Sequence, residues 1–212
     1  MIKSGERVIL SIAPSYYGCF DFEDVHQFAG AMKALGFYGV SETAEGAAYV
    51  TAEYHRIMQE NSMKNIISTC CPSVNRLIEL CYPSLVDQMA PVVSPMIAHG
   101  RLLKQSYGPG TRVVFAGPCI AKKDEAADIR HNNEIDAVLT FEELGAWLKE
   151  EHISFAKRRI RDVPQPELED PAHVPDRGGH PRILALQGRH RRLEAPVRFR
   201  LRRLHRPVPR HG

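Results

Sequence analysis

Cys70 and Cys71 stand side by side in NIISTCCPSVNRLIEL, residues 65–80, and a third thiol, Cys119, ends TRVVFAGPC, residues 111–119. Adjacent cysteines do not readily close a disulfide with each other, because the geometry is strained. In an extended segment their side chains leave on opposite faces, so one metal ion seldom takes both. The pair therefore suits two jobs, one thiolate as a ligand and one thiol for something else, with Cys119 as a second ligand. Soft thiolates favour zinc, copper(I) or iron–sulfur clusters. No Cys-x-x-Cys pair is present, so the common zinc-ribbon and ferredoxin spacings do not apply. Cys81, on an apolar helical stripe, and Cys19 read as small buried hydrophobes. His26, His55 and His99 have no metal-ligand spacing and read as structural or exposed.

These thiols need elements to hold them. RVILSIAP (7–14) is a β-branched run stopped by Pro14, and EDVHQFAGAMKALG places Val25, Phe28, Ala29, Met32 and Leu35 on one helical face before Gly36. SETAEGAAYVTAEYHRIMQEN reads as a helix with Ser41 as its N-cap and Glu42 and Glu45 in its first turn. NIIST reads as a short buried strand leading into Cys70. In the helix after Pro72, Val74, Leu77, Ile78 and Cys81 share one face. SPMIAHGRLLKQ opens a further helix with Ser94 as cap and Pro95 in its first position. TRVVFAGPC and IDAVLT are two more strands, and FEELGAWLKEE is a helix. Strands alternating with helices predict an α/β fold, a parallel βαβ sheet flanked by helices. In such sheets ligands gather at the carboxyl ends of strands, where the pattern puts Cys70, Cys71 and Cys119.

The chain changes character near residue 156. Residues 1–156 carry 13 Lys and Arg against 19 Asp and Glu, whereas residues 157–212 carry 15 against 6, with 14 Arg and 8 Pro. The second part has neither helical nor strand period. It reads as an irregular basic tail, either disordered or the product of a reading-frame slip in GC-rich DNA. A basic arm for nucleic acid is a third reading, but no base-reading motif or aromatic interleaving supports it, so nucleic acid is not expected as a partner. No apolar run is long enough to cross a membrane, and the N-terminal segment reads as a strand, not a leader. Five sparse cysteines without an export signal fit a reducing, cytoplasmic setting.

STCCPSV and GPCIAKKDEA, in that order, resemble the first two signature segments of the iron-only (di-iron) hydrogenase catalytic domain. APVVSPMIAHGRLL resembles the Ser-Pro helix between them, and IAPSYYG, IDAVLTFEELGAWLKE and ISFA match in order and spacing. The resemblance runs from about residue 8 to 156, so residues 1–156 read as the first lobe of that domain. It is closest to the branch regarded as hydrogen sensors. It implies a 4Fe–4S cubane joined to a di-iron subcluster (the H-cluster), with Cys71 and Cys119 as two of four cubane ligands. Cys70 then matches the thiol that passes protons to the distal iron, and Glu53, seventeen residues earlier, a proton-relay carboxylate. Lys122 matches the lysine facing a cyanide ligand, Ser94 a serine near the other cyanide, and Ala13 and Pro14 the loop lining the pocket. Glu125 reads as a salt-bridged surface residue. The implied partners are H2 and protons, with an electron carrier such as ferredoxin or an upstream iron–sulfur domain.

The sequence departs from the family pattern at Val74, Ala90 and Gly117, where a tryptophan, a serine and a methionine are expected. No cysteine follows Cys119, so the third signature with its two further ligands is absent from the chain. The expectation is therefore a hydrogenase-like chain that is incomplete and inactive by itself. The alternative is a non-catalytic module that binds a metal or iron–sulfur group through its cysteines.

Overall fold

The computed structural model describes residues 1–131 and 133–155, so expectations for the basic tail lie outside the described residues. Four strands, β1 (Val8–Ile12), β2 (Gly39–Glu42), β3 (Arg112–Ala116) and β4 (Ala137–Leu139), form one sheet in the order β2-β1-β3-β4. All three pairings are parallel, as the alternating pattern predicts. Parallel neighbours cannot be joined by a hairpin and need crossovers. These run through α1 (Val25–Ala34) between β1 and β2, through α2 (Ala44–Gln59), α3 (Pro72–Cys81) and α4 (Pro95–Tyr107) between β2 and β3, and through α5 (Ala121–Ala127) between β3 and β4. Helix α6 (Phe141–Glu150) follows β4.

Every residue of β1 is buried, because both faces of the sheet are covered. Val8, Leu10 and Ile12 face a core with Phe28, Ala31 and Met32 of α1 and Leu144 and Leu148 of α6. On the other face Ile9 packs with Met96, Ile97 and Leu103 of α4. A smaller core, Val50, Ile57, Ala90, Val92 and Ala98, joins α2 to α4. That crossing is close because Gly46 has no side chain: a Cβ there would stand 2.4 Å from the Pro95 carbonyl oxygen and 2.8 Å from the His99 nitrogen.

The caps follow side-chain chemistry. Asp24 accepts from the His26 N–H at 3.0 Å to start α1. Thr140 and Glu143 form a reciprocal capping box on α6. Ser94 accepts from Ile97 at 3.5 Å ahead of Pro95, as its position predicts.

Three expectations are corrected. Ser41 is not a helix cap; it lies in β2, registered opposite Ser11, and α2 begins after Thr43. NIIST is not a strand of the sheet. Ile67 alone forms a parallel bridge, to Met89, with the Ile67 N–H donating to Gln88 at 2.7 Å and its carbonyl accepting from Ala90 at 2.9 Å. Cys81 is exposed, not a buried hydrophobe, and Cys19 is exposed as well. The reason for Cys81 lies in α3, whose apolar stripe the described residues cover only in part. Ile78 is buried, but Leu77 is 51% and Leu80 66% exposed, with Ile120 and Ile129 also open. Such patches promote association. Changing both Leu77 and Leu80 to Lys is therefore expected to reduce self-association in light scattering, while urea unfolding shifts by only about 0.5 kcal/mol or less.

Candidate functional site

A sheet of order β2-β1-β3-β4 reverses its winding between β1 and β3. In open α/β sheets, ligands bind outside the carboxyl ends of the strands at such a switch point. β1 runs out into Ala13 and Pro14, and β3 into Gly117, Pro118 and Cys119, so these residues flank the switch point. The Ala13 N–H still donates to Ala116 at 2.9 Å, after which Pro14 opens a 3-10 turn (Pro14–Gly18).

Lys122, in the first turn of α5, ties the two cysteine segments together. Its N–H donates to the Cys119 carbonyl at 3.3 Å, and its Nζ donates to the Cys70 carbonyl, also at 3.3 Å. The same ammonium pairs with Glu125 Oε2 at 2.7 Å, and both side chains are largely buried, at 13% and 8% exposure. Glu125 is thus no solvated surface glutamate; it is the counter-charge that lets a lysine stand in this place.

The Cys70–Cys71 turn is held from below. Thr69, buried, donates through its Oγ1 toward the carbonyls of Val92 at 2.6 Å and Ala90 at 3.1 Å. Its N–H donates to the Tyr54 hydroxyl at 2.8 Å, and Asn75 Nδ2 reaches back to its carbonyl at 2.9 Å. Cys71 is the N-cap of α3 in extended conformation, with Pro72 at the first helical position. Cys70 is exposed and its sulfur accepts from the Ser68 hydroxyl at 3.3 Å. Cys71 and Cys119 are half-buried. Tyr54, Thr69 and Asn75 are absent from the sequence expectations. None of the three left a local signal in the sequence, because each bond runs to a group brought close by the fold or the turn: Tyr54 lies 15 residues before Thr69, and Thr69 bonds carbonyls 21 and 23 residues on.

The remaining candidates sit further off in bonding terms. Ser94 is buried and caps α4. Glu53, on α2, is doubly bonded to Arg56, at 3.0 and 2.6 Å, and lines a small cavity with Tyr49, Val92, Val93 and Arg101. The side chain of α2 that bonds the cysteine segment is Tyr54. Among the described residues, no group of three or more His, Cys, Asp or Glu is placed to hold a metal ion.

The family model for the iron only hydrogenase large subunit, C-terminal domain, matches residues 6–181. The chain belongs to this family. The match runs past residue 156 into the Arg- and Pro-rich stretch, beyond the described residues. Among relatives, the NADP-reducing hydrogenase subunit HndD of Solidesulfovibrio fructosivorans is 27% identical over 66% of this chain and 28% of its own length. Iron hydrogenase 1 of Clostridium pasteurianum is 27% identical over 72% of this chain and 30% of its own. The chain thus spans less than a third of either relative. In fold it is similar to a variant of FeFe-hydrogenase HydA1 from Chlamydomonas reinhardtii, with a TM-score of 0.61 at 24% identity, covering 72% of this chain and 44% of that one.

The departures from the hydrogenase pattern have local accounts. A Cβ at Gly117 would stand 2.7 Å from the Phe115 ring and 3.2 Å from Ala13 Cβ, so a methionine has no room while Phe115 holds that rotamer. Ala90 is fully buried in the α2–α4 core. Val74 lies on the open stripe of α3, 41% exposed.

Proposed function

We propose that this chain supplies part of the cluster-binding wall of an iron-only hydrogenase, and that by itself it does not turn over hydrogen. The observation that carries the reading is the Lys122 bridge, which joins the STCCPSV and GPCIAKK segments at the switch point of a parallel sheet. In this reading Cys71 and Cys119 are ligands to a 4Fe–4S cubane, and Lys122 offers an ammonium to a buried anion, a task that suits a compact, mobile point charge. Cys70, exposed and held by Ser68, is the thiol at which a proton waits. Ala13, Pro14 and Ser94 shape the wall, and Glu53 is the carboxylate that feeds protons inward.

Among the described residues the candidate ligands do not make up a complete cluster site. Besides the lack of a preformed group of three ligands among the described residues, the sequence has no cysteine after Cys119. When bound in a complete domain, the H-cluster would supply the metal at which H2 and protons interconvert. The reading places a complete domain of this kind in the cytoplasm, exchanging electrons with a carrier such as ferredoxin or with an upstream iron–sulfur domain.

Anaerobic reconstitution of the purified chain with iron, sulfide and the di-iron precursor tests it. The expected outcome is weakly held iron, lowered further by Cys71→Ser or Cys119→Ser, and no viologen-linked hydrogen turnover above a protein-free blank. Clear turnover would overturn the claim of inactivity. One tightly bound zinc per chain would instead favour a metal-binding module.

A further inference from the structure

A polar side chain in the middle of a strand buried on both faces needs a partner, and β1 carries one. Ser11 Oγ lies 2.8 Å from His99 Nδ1 and 2.9 Å from Thr43 Oγ1. The other ring nitrogen, His99 Nε2, lies 2.9 Å from Ser41 Oγ, which in turn lies 3.2 Å from Glu45 Oε1. Thr43, Ser11, His99, Ser41 and Glu45 thus form one unbranched chain of four hydrogen bonds linking β1, β2, α2 and α4. The first four residues are buried. Glu45 is half-buried, and its Oε2 is buried without a hydrogen-bond partner.

Proton counting gives this chain two polarities. Each hydroxyl has one proton and a neutral imidazole has one N–H. With Glu45 ionised, Ser41 must give its proton to the carboxylate. Ser41 must then accept from His99 Nε2–H, so Nδ1 accepts from Ser11 and Ser11 accepts from Thr43. With a proton on Oε1, the carboxyl donates to Ser41, Ser41 to Nε2, Nδ1–H to Ser11, and Ser11 to Thr43. Every link is made in both states. A proton on Oε2 instead would have no acceptor.

We propose that this chain is a one-proton switch: a proton bound at Glu45 reverses all four hydrogen bonds and moves His99 from its Nε2–H to its Nδ1–H tautomer without charging the ring. The balance is a net gain of one proton, carried on Glu45. The switch is close in sequence to two segments of the candidate site: Ser11 is two residues before Ala13, and His99, on α4, is five after Ser94.

The surroundings place the transition near neutrality. Burial lifts the Glu45 carboxyl from 4.5 to about 7, against the Ser41 hydrogen bond, and the charge of Glu42 on β2 adds to the rise. From α2 and α4 it is also faced by Tyr49 and Tyr107, whose phenols are held protonated by burial and by the charge of Glu45. Burial takes His99 down to about 4, so the ring stays neutral while Glu45 titrates. The linked stability terms oppose each other. Glu45, raised on folding, contributes stability at low pH that is lost as pH rises from 4.5 through about 7. His99, lowered on folding, contributes stability above 6.5 that is lost as pH falls toward about 4. Between these limits the slopes largely cancel, so unfolding curves are insensitive and the ring itself must be read.

The test is nitrogen-15 NMR of the imidazole rings in the full chain, with His99 recognised by its contacts to Ser11 and Ser41. The expected result is the Nε2–H tautomer at about pH 8.5 and the Nδ1–H tautomer at about pH 5.5, following the Glu45 carboxyl carbon shift. Ser41→Ala, which cuts the chain, is expected to leave one tautomer across that range. One tautomer at both pH values in the unmodified chain, or an imidazolium forming near neutrality, would overturn the proposal. So would a tautomer change that persists in Ser41→Ala.

Discussion

Gly46→Ala is expected to lower the unfolding free energy by about 3 kcal/mol or more, at the upper end of what overpacking a close contact costs. The atoms in the way belong to backbone and to the root of a side chain: the Pro95 carbonyl oxygen at 2.4 Å, His99 Cβ at 2.7 Å and the His99 nitrogen at 2.8 Å. None of these can swing aside, so α2 and α4 must move apart. That movement opens the core of Val50, Val92 and Ala98 and stretches the bonds of His99 to Ser11 and Ser41. A loss of that size is a large share of a domain's stability. Gly18→Ala is the control, because a Cβ there meets nothing within 4 Å and the backbone is not left-handed. Urea unfolding of both variants checks the pair. Equal midpoints would show that the α2–α4 crossing is not the close contact described.

Lys122→Met is expected to cost about 3–5 kcal/mol, the usual loss when one partner of a buried ion pair is removed. The Glu125 carboxylate, 8% exposed, is then left without its counter-charge, and the Cys70 carbonyl loses its donor. Lys122→Met combined with Glu125→Leu is expected to regain most of that loss, since the stranded charge goes with its partner. Denaturant unfolding of the two singles and the double gives the coupling directly. A double variant as unstable as the worse single would mean that the two residues act through separate neighbours.

Several elements could be read before any contact was known. β1 and β3 are short β-branched runs stopped by Pro14 and Gly117, and Ser94-Pro95 announces its helix chemically. β2 could not be read in this way. Its four residues, Gly39–Glu42, carry one strongly β-prone side chain, and Ser41-Glu42 imitates a helix start; only pairing with β1 makes them a strand. The reverse holds for NIIST, whose composition is strand-like but whose neighbours offer it a single bridge.

The site divides along the same line. Residue order alone puts Cys119 and Lys122 after β3, because a parallel sheet delivers its strand ends to one edge. Cys70 and Cys71, expected at a strand end too, follow a segment with one isolated bridge and are placed by Thr69 and Lys122 instead. Which of them meet was decided in three dimensions. Lys122 reaches Cys70 across 52 residues, and His99 reaches Ser41 across 58 and Ser11 across 88. His99, which the sequence offers only as a structural or exposed residue, becomes the centre of a buried polar chain for this reason. A hydrogen bond's value depends on the burial of both partners, and burial belongs to the packed sheet and helices together, not to either residue's neighbours in sequence.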